Sequence, residues 1–347
     1  MSDSKTTRAR VNGLDRARIL LARGLTTAGG RGGAIVILLA LVVAFSLASE
    51  SFLTVDNQRN ILRQYSVPAI LAVGQTLVIV AAGIDLSVAS TAALSGSVMG
   101  VLYAHEGWPE PLALAMGLLS GFAVGAINGF VITKWRVPDF IATLGAFTAV
   151  RGVALLVTDG LPVPDYAKAQ EGRTVPGTVT TLGADSVFGV PLIAVVAAAC
   201  ALIGWFILSR TTLGRAAYAI GGNREAARVS GIRVERMKWA IYIFSGLMAA
   251  VAGFMLTGRQ GSANALMGEG MELQSIAAVV VGGTNLFGGE GTIGGTIIGV
   301  LIIGVLNNGL NILGVADFWQ RVVNGSIIVA VVALDQWRRR AAAGRAT

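Results

Sequence analysis

Polar side chains that can bind the hydroxyl groups of a small solute interrupt the most apolar stretches of this 347-residue chain. Asp85 breaks an apolar run within the segment GIDLSV, and Arg151 breaks another within IATLGAFTAVRGVALLV. Asn307 and Asn311 are four residues apart, so on a helix they would share one face. With three more polar residues in similar surroundings, they are candidates to line a path for a polar solute. The candidates are Gln75, Asp85, Asn128, Thr143, Arg151, Asn307 and Asn311.

Residue combinations that catalyse reactions are missing from the sequence. His105 is the only histidine and Cys200 the only cysteine, which excludes a metal site built on several histidines and an intrachain disulfide. No Ser-His-Asp set and no paired carboxylates interrupt the apolar runs. The segment 282–295 has seven glycines but no GxxxxGK[ST] frame, so it is not a phosphate-binding loop. We therefore expect neither an enzyme nor a metal or cofactor bound by this chain.

The composition is that of a membrane protein. Hydrophobic residues make up 54% of the chain and charged residues 13%, and the mean hydropathy is +0.70. A soluble domain would have about 25% charged residues. The 46 glycines suit helices that pack closely in a bilayer. The net charge of +8 comes from basic blocks between apolar runs, a pattern that indicates membrane topology rather than nucleic-acid binding.

Ten apolar stretches predict ten membrane-spanning helices, and hence an all-α polytopic membrane protein. They cover residues 33–49, 65–82, 87–104, 111–133, 139–158, 188–209, 239–257, 274–283, 292–313 and 319–337. The stretch 274–283 is short, so it must either extend backward through Met271 or remain a half-helix. A basic tail (1–32) thus precedes the membrane domain (33–337), and a second basic tail (338–347) follows it.

The basic residues predict the orientation. With the N-terminus inside, twenty of the 27 Lys and Arg residues lie on the cytoplasmic side, in segments 5–31, 134–136, 210–238 and 338–345. By the positive-inside rule, both termini are cytoplasmic and the number of spans is even. The longest external loop is then 158–187, which we expect to be a lid, a docking surface for an external partner, or a plain surface loop.

Each candidate for the solute path has a structural alternative. A carboxylate at the bilayer centre would cost about 2.5–3.5 kcal/mol, which favours a place for Asp85 near the cytoplasmic end, where it can cap a helix that begins near Ser87. Arg151 can extend to the outer interface or face the interior and donate to a solute. Asparagines on apolar helices often tie helices together. The glycine-rich segment 282–295 fits close helix packing first and a flexible gate second.

The cytoplasmic loop 210–238 contains signals for a short helix. Asn223 is a good N-cap, Glu225 would lie in the first turn, Arg228 near the C-terminal end, and Gly231 as a stop. A helix of about two turns is marginal alone, so it must pack on something. It is either a capped connector between spans or a helix that docks on a cytoplasmic protein.

Five segments in this order resemble the permeases of bacterial ATP-binding-cassette (ABC) sugar importers of the ribose, xylose and arabinose type. They are GIDLSV (83–88), VPDFIATLG (137–145), GGNREAARVSGI (221–232), GGTNLFGGEGTIGGTIIG (282–299) and NNGLNILGV (307–315). This group belongs with the permeases for branched-chain amino acids and monosaccharides. The resemblance covers residues 52–334, which is nearly the whole chain outside the tails.

The resemblance implies a fold like that of the vitamin B12 importer (type II), in the bacterial inner membrane. Two permeases, identical or related, would work on two ATPase subunits that bind ATP and Mg, while an external binding protein delivers the sugar. In the family, the residues matching this chain's coupling segment contact the ATPase: Asn223, Arg224, Glu225, Ala226, Ala227, Arg228, Ser230 and Gly231. Two departures stand out. Ala89 replaces a frequent Gly, and Gln274 replaces a frequent Asp near the outer mouth, which leaves the sugar open.

Two other classes of function compete with an importer permease for a monosaccharide or another small polar solute. An ion-coupled secondary transporter would normally carry several intramembrane carboxylates, and only Asp85 and Asp139 lie in or beside spans. A membrane enzyme would need a catalytic set that the sequence does not contain. We therefore expect transport without chemistry in this chain.

Overall fold

The computed structural model describes residues 31–316, 318–326, 329 and 333. The predicted tail 338–347 and nearly all of the predicted tail 1–32 lie outside the described residues. The predicted last span, 319–337, is described only in part, with residues 318–326 helical.

The described residues form a helical bundle with one short β-hairpin. In chain order the helices are α1 (Arg31–Ala48), α2 (Val55–Val80), α3 (Val88–Gly100), α4 (Glu110–Lys134), α5 (Asp139–Thr158), α6 (Tyr166–Gln170), α7 (Gly177–Ala184), α8 (Leu192–Arg210), α9 (Thr212–Gly222), α10 (Arg224–Val229), α11 (Val234–Gln260), α12 (Met271–Val281) and α13 (Ile293–Ile312). A π-helix, Val101–His105, continues α3, and the antiparallel strands β1 (Ser186–Val187) and β2 (Val190–Pro191) precede α8.

Five of these helices are long and apolar enough to cross a membrane, namely α4, α5, α8, α11 and α13. Residues Gly32–Ala48 of α1 and the whole of α12 are shorter apolar helices. The predicted class, an all-α polytopic membrane protein, is thereby confirmed. The number of crossings does not follow from helix length and composition alone.

Among the helix boundaries that differ from the predicted ones, two have clear local reasons. Helix α2 begins at Val55, ten residues before the predicted start, because its first turns are polar and the Thr54 side chain caps them by accepting the Asn57 N–H. Helix α12 begins at Met271 but has only 11 residues. It is bounded by Gly270, with φ 84°, and by Gly282, so it stays as short as the sequence suggested.

Glycines let α4 and α11 pack closely. Four of them recur every fourth residue of α4, and a Cβ added to Gly121 would lie 2.5 Å from the carbonyl oxygen of Gly246 on α11. A Cβ on Gly129 would lie 2.6 Å from Cδ1 of Trp239. Since no larger residue fits, the glycine stripe sets the distance between the two helices. Helix α11 is accordingly the most buried of the five long apolar helices.

The bundle has two ends of different charge. The end that carries Lys134, Arg210, α9, α10 and the first turn of α11 is called the basic end. The opposite end carries the first turns of α2, helices α6 and α7, the β-hairpin and the last turn of α11. There Arg63 of α2 donates to Ser186 Oγ of β1 at 2.9 Å, and Arg259 of α11 donates to the Arg63 carbonyl at 3.2 Å. The predicted external loop 158–187 is thus structured, since it contains α6 and α7.

Candidate functional site

Asp85 lies in the turn that joins α2 to α3 and is only 2% exposed. Its Oδ1 accepts the backbone N–H of Ser87 at 3.0 Å and the Ser87 hydroxyl at 2.6 Å. Its Oδ2 accepts the hydroxyl of Ser245, in the middle of α11, at 2.8 Å. The carboxylate therefore holds the start of α3 and fastens it to α11. Its contact with the Ser87 N–H resembles the predicted capping, although Ser87 itself is the N-cap of α3.

Three further candidates join Asp85 in what we call the turn network, formed by Gln75, Asp85, Asn128 and Thr143 with Ser87 and Ser245. Asn128 donates to Ser87 Oγ at 2.8 Å, and Thr143 donates to the Ile84 carbonyl at 3.0 Å. With its amide nitrogen facing the Asp85 carbonyl, Gln75 exchanges two 3.2 Å hydrogen bonds with the Asp85 backbone. These polar groups satisfy one another inside the bundle, near its basic end.

An ion pair between a buried lysine and a partly buried aspartate lies beside this network, and sequence reasoning missed it. Lys238 Nζ on α11 is 2.6 Å from Asp139 Oδ2 on α5, and the Tyr242 hydroxyl donates to the same oxygen at 2.7 Å. Tyr242 also reaches the Ile84 carbonyl at 3.4 Å. Lys238 had been counted only as a cytoplasmic charge. The sequence does contain a signal for this pair. Asp139 and Lys238 have opposite charges, and each lies at the cytoplasmic end of a predicted span.

Arg151 is separate from the turn network. Its Nη1 donates to the carbonyl oxygens of Ala265, at 2.6 Å, and Met267, at 3.1 Å, in the segment between α11 and α12. The guanidinium also lies 5.9 Å from the ring centroid of Phe147. Arg151 therefore fastens α5 to the chain that leads into α12. Its Nη2 is buried without a hydrogen-bond partner among the described residues.

The three asparagines of α13 have three different surroundings. Asn307 is 8% exposed, lies beside Tyr65 of α2, and its Oδ1 has no partner within the described part of the chain. Asn308 exchanges two amide hydrogen bonds with Asn57 of α2, of 2.9 and 2.8 Å. Asn311 is exposed. The tie between helices that asparagines often supply thus comes from Asn308, which is not among the candidates from the sequence.

An open cleft of about 540 Å³ lies at the opposite end, between α2, α11 and α12. We call it the opposite-end cleft, and it is lined by Asn60, Arg63, Gln64, Tyr65, Pro68, Arg259, Met271 and Gln274. None of the seven candidate residues lines it, although Asn307 lies beside Tyr65. Amide, guanidinium and phenol groups can bind the hydroxyl groups of a small polar molecule, and the volume is of the right order for one.

The short helix predicted in the central loop is present as α10. Asn223 Oδ1 accepts the Ala226 N–H at 2.9 Å. At the other end, Ile232 N–H donates to the Ala227 carbonyl and Gly231 N–H to the Arg228 carbonyl, both at 3.0 Å, with Gly231 at φ 84°. This is a Schellman ending, the stop that the glycine predicted.

Most of α10 faces outward. Among its own residues only Ala227 is buried, and the other predicted coupling residues are exposed, namely Asn223, Arg224, Glu225, Ala226, Arg228, Ser230 and Gly231. Arg228 lies 3.8 Å from Glu225, as its spacing allows, but its closer partner is Glu235 of α11 at 2.6 Å. Val229 is 88% exposed, an apolar side chain on an otherwise polar surface. The sequence signalled neither Glu235 nor Val229.

Comparison with known proteins assigns this architecture to a family. The model of the family described as "Branched-chain amino acid transport system / permease component" matches residues 57–332. The chain belongs to this permease family. This permease is 43% identical to the ribose import permease protein RbsC of Escherichia coli strain K12 over 87% of its own length and 92% of that protein. No solved structure matches it.

Two further relatives extend the comparison. The ribose import permease protein RbsC of Bacillus subtilis strain 168 is 44% identical over 86% of this permease and 90% of the relative. The xylose transport system permease protein XylH of Escherichia coli strain K12 is 34% identical over 88% and 91%, respectively. The family and the apolar helices together identify a multi-pass protein of the inner membrane.

Proposed function

We propose that this chain is the membrane-spanning permease subunit of an ABC importer for a monosaccharide, with a pentose such as ribose or xylose as the leading substrate. The observation that carries the proposal is the identity of 43–44% along about nine-tenths of two ribose import permease proteins. Another small polar solute is the alternative within the same class. Transport, rather than an enzymatic reaction, is the role of this chain.

The proposal includes a topology of ten crossings in a type II fold like that of the vitamin B12 importer. Helices stand at nine of the ten predicted positions, and the described residues 318–326 begin the tenth. The basic end faces the cytoplasm, as do both termini, because Lys and Arg concentrate there. The opposite end then faces outward, and two copies of the permease form the translocation unit.

The opposite-end cleft is where the sugar first meets the permease in this proposal. Its polar side chains come from α2, α11 and α12, and hydrogen bonds fix Arg63 and Arg259 in place. Asn307 lies next to Tyr65 of the cleft lining, and its amide oxygen, which has no partner among the described residues, is available to the sugar. Deeper groups, including those of the turn network, would have to exchange partners before they could bind a sugar.

Partner proteins supply the affinity for the sugar and the energy for its transport. An external binding protein delivers the sugar to the opposite end, and a cytoplasmic ATPase docks on α10 at the basic end. ATP and Mg are bound by the ATPase, with no cofactor on the permease. ATP binding and hydrolysis bias inward-open and outward-open states, and each ligand shifts that balance only by its different affinity for the two states.

Uptake by a deletion strain tests the substrate. A bacterial strain without its own ribose, xylose and allose permeases would receive this permease with its ATPase and its binding protein. We expect accumulation of labelled ribose or xylose that stops when ATP is depleted. Accumulation driven instead by a proton or sodium gradient would identify a secondary transporter. If no monosaccharide accumulates, the proposal that the substrate is a monosaccharide is rejected.

Val229→Ser tests the docking role of α10. The variant removes an exposed apolar group and disturbs no buried contact, so the permease should remain folded while it retains about tenfold less ATPase on co-purification. Val187→Ser, which changes an exposed valine on β1 at the opposite end, is the matched control. Equal ATPase retention by the two variants would remove α10 from the interface.

The choice of Val229→Ser leaves the contact between Arg228 and Glu235 intact. Reversing Glu225 and Arg228 would be the obvious choice, since they are on one face of α10. However, Arg228→Glu would place a carboxylate opposite Glu235, 2.6 Å from the present guanidinium. A loss of binding would then report on the α10–α11 contact as well as on the partner.

A further inference from the structure

The loop between α12 and α13 is a rigid structure despite its glycines. Asn285 closes it with its side chain, because its Oδ1 accepts the Phe287 N–H at 3.0 Å and its Nδ2 donates to the Gly288 carbonyl at 2.8 Å. The Asn285 N–H donates to the Glu290 carbonyl at 3.0 Å. Residues 284–291 therefore hold one shape, and the glycines permit the positive φ angles that this shape needs.

This loop is packed against α9 and the last residues of α2. The Gly289 N–H donates to the Val80 carbonyl at 2.9 Å, and the Tyr218 hydroxyl of α9 donates to the Gly291 carbonyl at 2.7 Å. A Cβ on Gly288 would lie 2.8 Å from Cβ of Ala82, and one on Gly289 3.0 Å from Cα of Gly222. The loop thus lies directly against the chain that enters α10 at Asn223.

Phe287 stands at the tip of this loop and is 58% exposed. Its neighbours on the tip are buried Asn285 and Gly288 and exposed Glu290. The hydrogen bonds of the loop thus place Phe287 at its tip, with more than half of the side chain exposed. An aromatic side chain held outward beside a charged residue, at the basic end, is typical of a surface that a partner covers.

We infer that the Phe287 tip is a second docking point for the ATPase, next to the one on α10. The inference rests on the proposed function. The position of the loop favours the ATPase as the partner, because the loop is continuous with the proposed docking surface on α10. It contacts Gly222, the residue that precedes the N-cap of α10. The exposed carboxylate of Glu290 at the same tip favours a protein surface in water over the apolar interior of the bilayer.

The second contact gives the ATPase a direct connection to α2. The loop is hydrogen-bonded to Val80, the last residue of α2, and the N-terminal half of the same helix carries Asn60, Gln64 and Tyr65 of the opposite-end cleft. A displacement of the loop by the ATPase therefore acts on the helix that lines the cleft, whereas α10 is connected to the bundle through α9 and α11.

Phe287→Ser tests the inference, with Phe188→Ser as the matched control. Phe188 is fully exposed at the tip of the β-hairpin at the opposite end, so both variants remove an exposed phenylalanine. Each permease would be co-expressed with its ATPase subunit and purified in detergent, where no bilayer contributes. We expect Phe287→Ser to retain about tenfold less ATPase than the wild type, while Phe188→Ser retains the wild-type amount.

The outcomes separate this inference from the proposed function. A wild-type permease that retains no ATPase overturns both. A wild-type permease and a Phe287→Ser variant that retain ATPase equally overturn the second docking point alone, and a loss of membrane insertion without a loss of ATPase would assign Phe287 to lipid. If Phe287→Ser is not monodisperse, p-benzoylphenylalanine at position 287 preserves an aromatic ring. Irradiation should then yield an adduct with the ATPase, and its absence rejects the contact.

Discussion

The two ends of α2 place polar residues in opposite circumstances. At its C-terminal end, the turn network of Gln75, Asp85, Asn128 and Thr143 pairs buried polar groups with one another and with serines of α3 and α11. At its N-terminal end, polar groups face the open volume of the opposite-end cleft, and the amide oxygen of Asn307 has no partner in the described chain.

The difference shows that residue type alone does not distinguish a structural polar group from one that can bind a solute. A buried polar group whose hydrogen bonds are complete stabilises the fold, since removing it strands its partners. A polar group with an open position has capacity left for a solute. Substitutions at the two ends of α2 test this contrast, and those in the turn network should have the largest effect.

Asp85→Leu should destroy the folded permease. Three donors would lose their acceptor, and each stranded buried donor costs about 1–3 kcal/mol. We expect aggregation on size exclusion in detergent rather than a folded but inactive protein. Asp85→Asn is the control, because its amide oxygen can still accept from Ser87 while its nitrogen faces Ser245. A folded, monodisperse Asp85→Leu variant with impaired uptake would instead place Asp85 in the sugar path.

Lys238→Met should lower stability by about 3 kcal/mol, near the low end for a broken buried pair. The variant leaves Asp139 with only the Tyr242 hydroxyl as a partner. The double variant Lys238→Met with Asp139→Asn removes the unpaired charge, so it should regain much of the lost thermal stability in detergent. If the two substitutions simply add, the pair is not coupled in the way the 2.6 Å distance indicates.

The sequence predicted those parts of the fold that depend on nearby residues. The apolar stretch 139–158 predicts helix α5 at its observed bounds, Asp139–Thr158, which in the structure lie between Pro138 and Asp159 with φ 50°. Helix α10 followed from its own caps, Asn223 and Gly231. The start of α2 was missed because hydropathy locates apolar segments, whereas that helix begins in a polar one.

The site was harder to predict, since it depends on which helices are neighbours. Asp85 binds Ser245, which is 160 residues away in the chain, so no local pattern could show that the carboxylate is fully occupied. The residues that the sequence suggests for solute binding are all polar positions within apolar runs. The lining of the cleft lies largely outside such runs, as Asn60, Gln64 and Arg259 illustrate.

Asn307→Leu should raise the KM for uptake about tenfold, equivalent to about 1.4 kcal/mol, with little change in Tm. The substitution removes an amide whose oxygen has no partner among the described residues, and the one contact it loses is that with the Tyr65 side chain. Asn308→Leu is the matched control on the next residue. It removes both amide hydrogen bonds to Asn57, whose nitrogen then keeps only the Phe52 carbonyl, and should cost about 1–2 kcal/mol of stability, with a near-normal KM. The reverse result would exchange the structural and functional roles of these two asparagines.

Asn311→Leu should have the smallest effect, a change in uptake of no more than about twofold. The sequence grouped Asn311 with Asn307 because residues four apart share a helix face, and it left open which of them lines the path. Their burial differs, because Asn311 is exposed near the end of α13 while Asn307 lies under the lining of the cleft. Exposed substitutions usually change stability by less than about 0.5 kcal/mol, so the Tm should also stay close to that of the wild type. Measured KM and Tm for Asn311→Leu beside Asn307→Leu decide the matter. A tenfold rise in KM for both would extend the sugar path along this whole face of α13, beyond the cleft, and would show that burial does not separate the two asparagines.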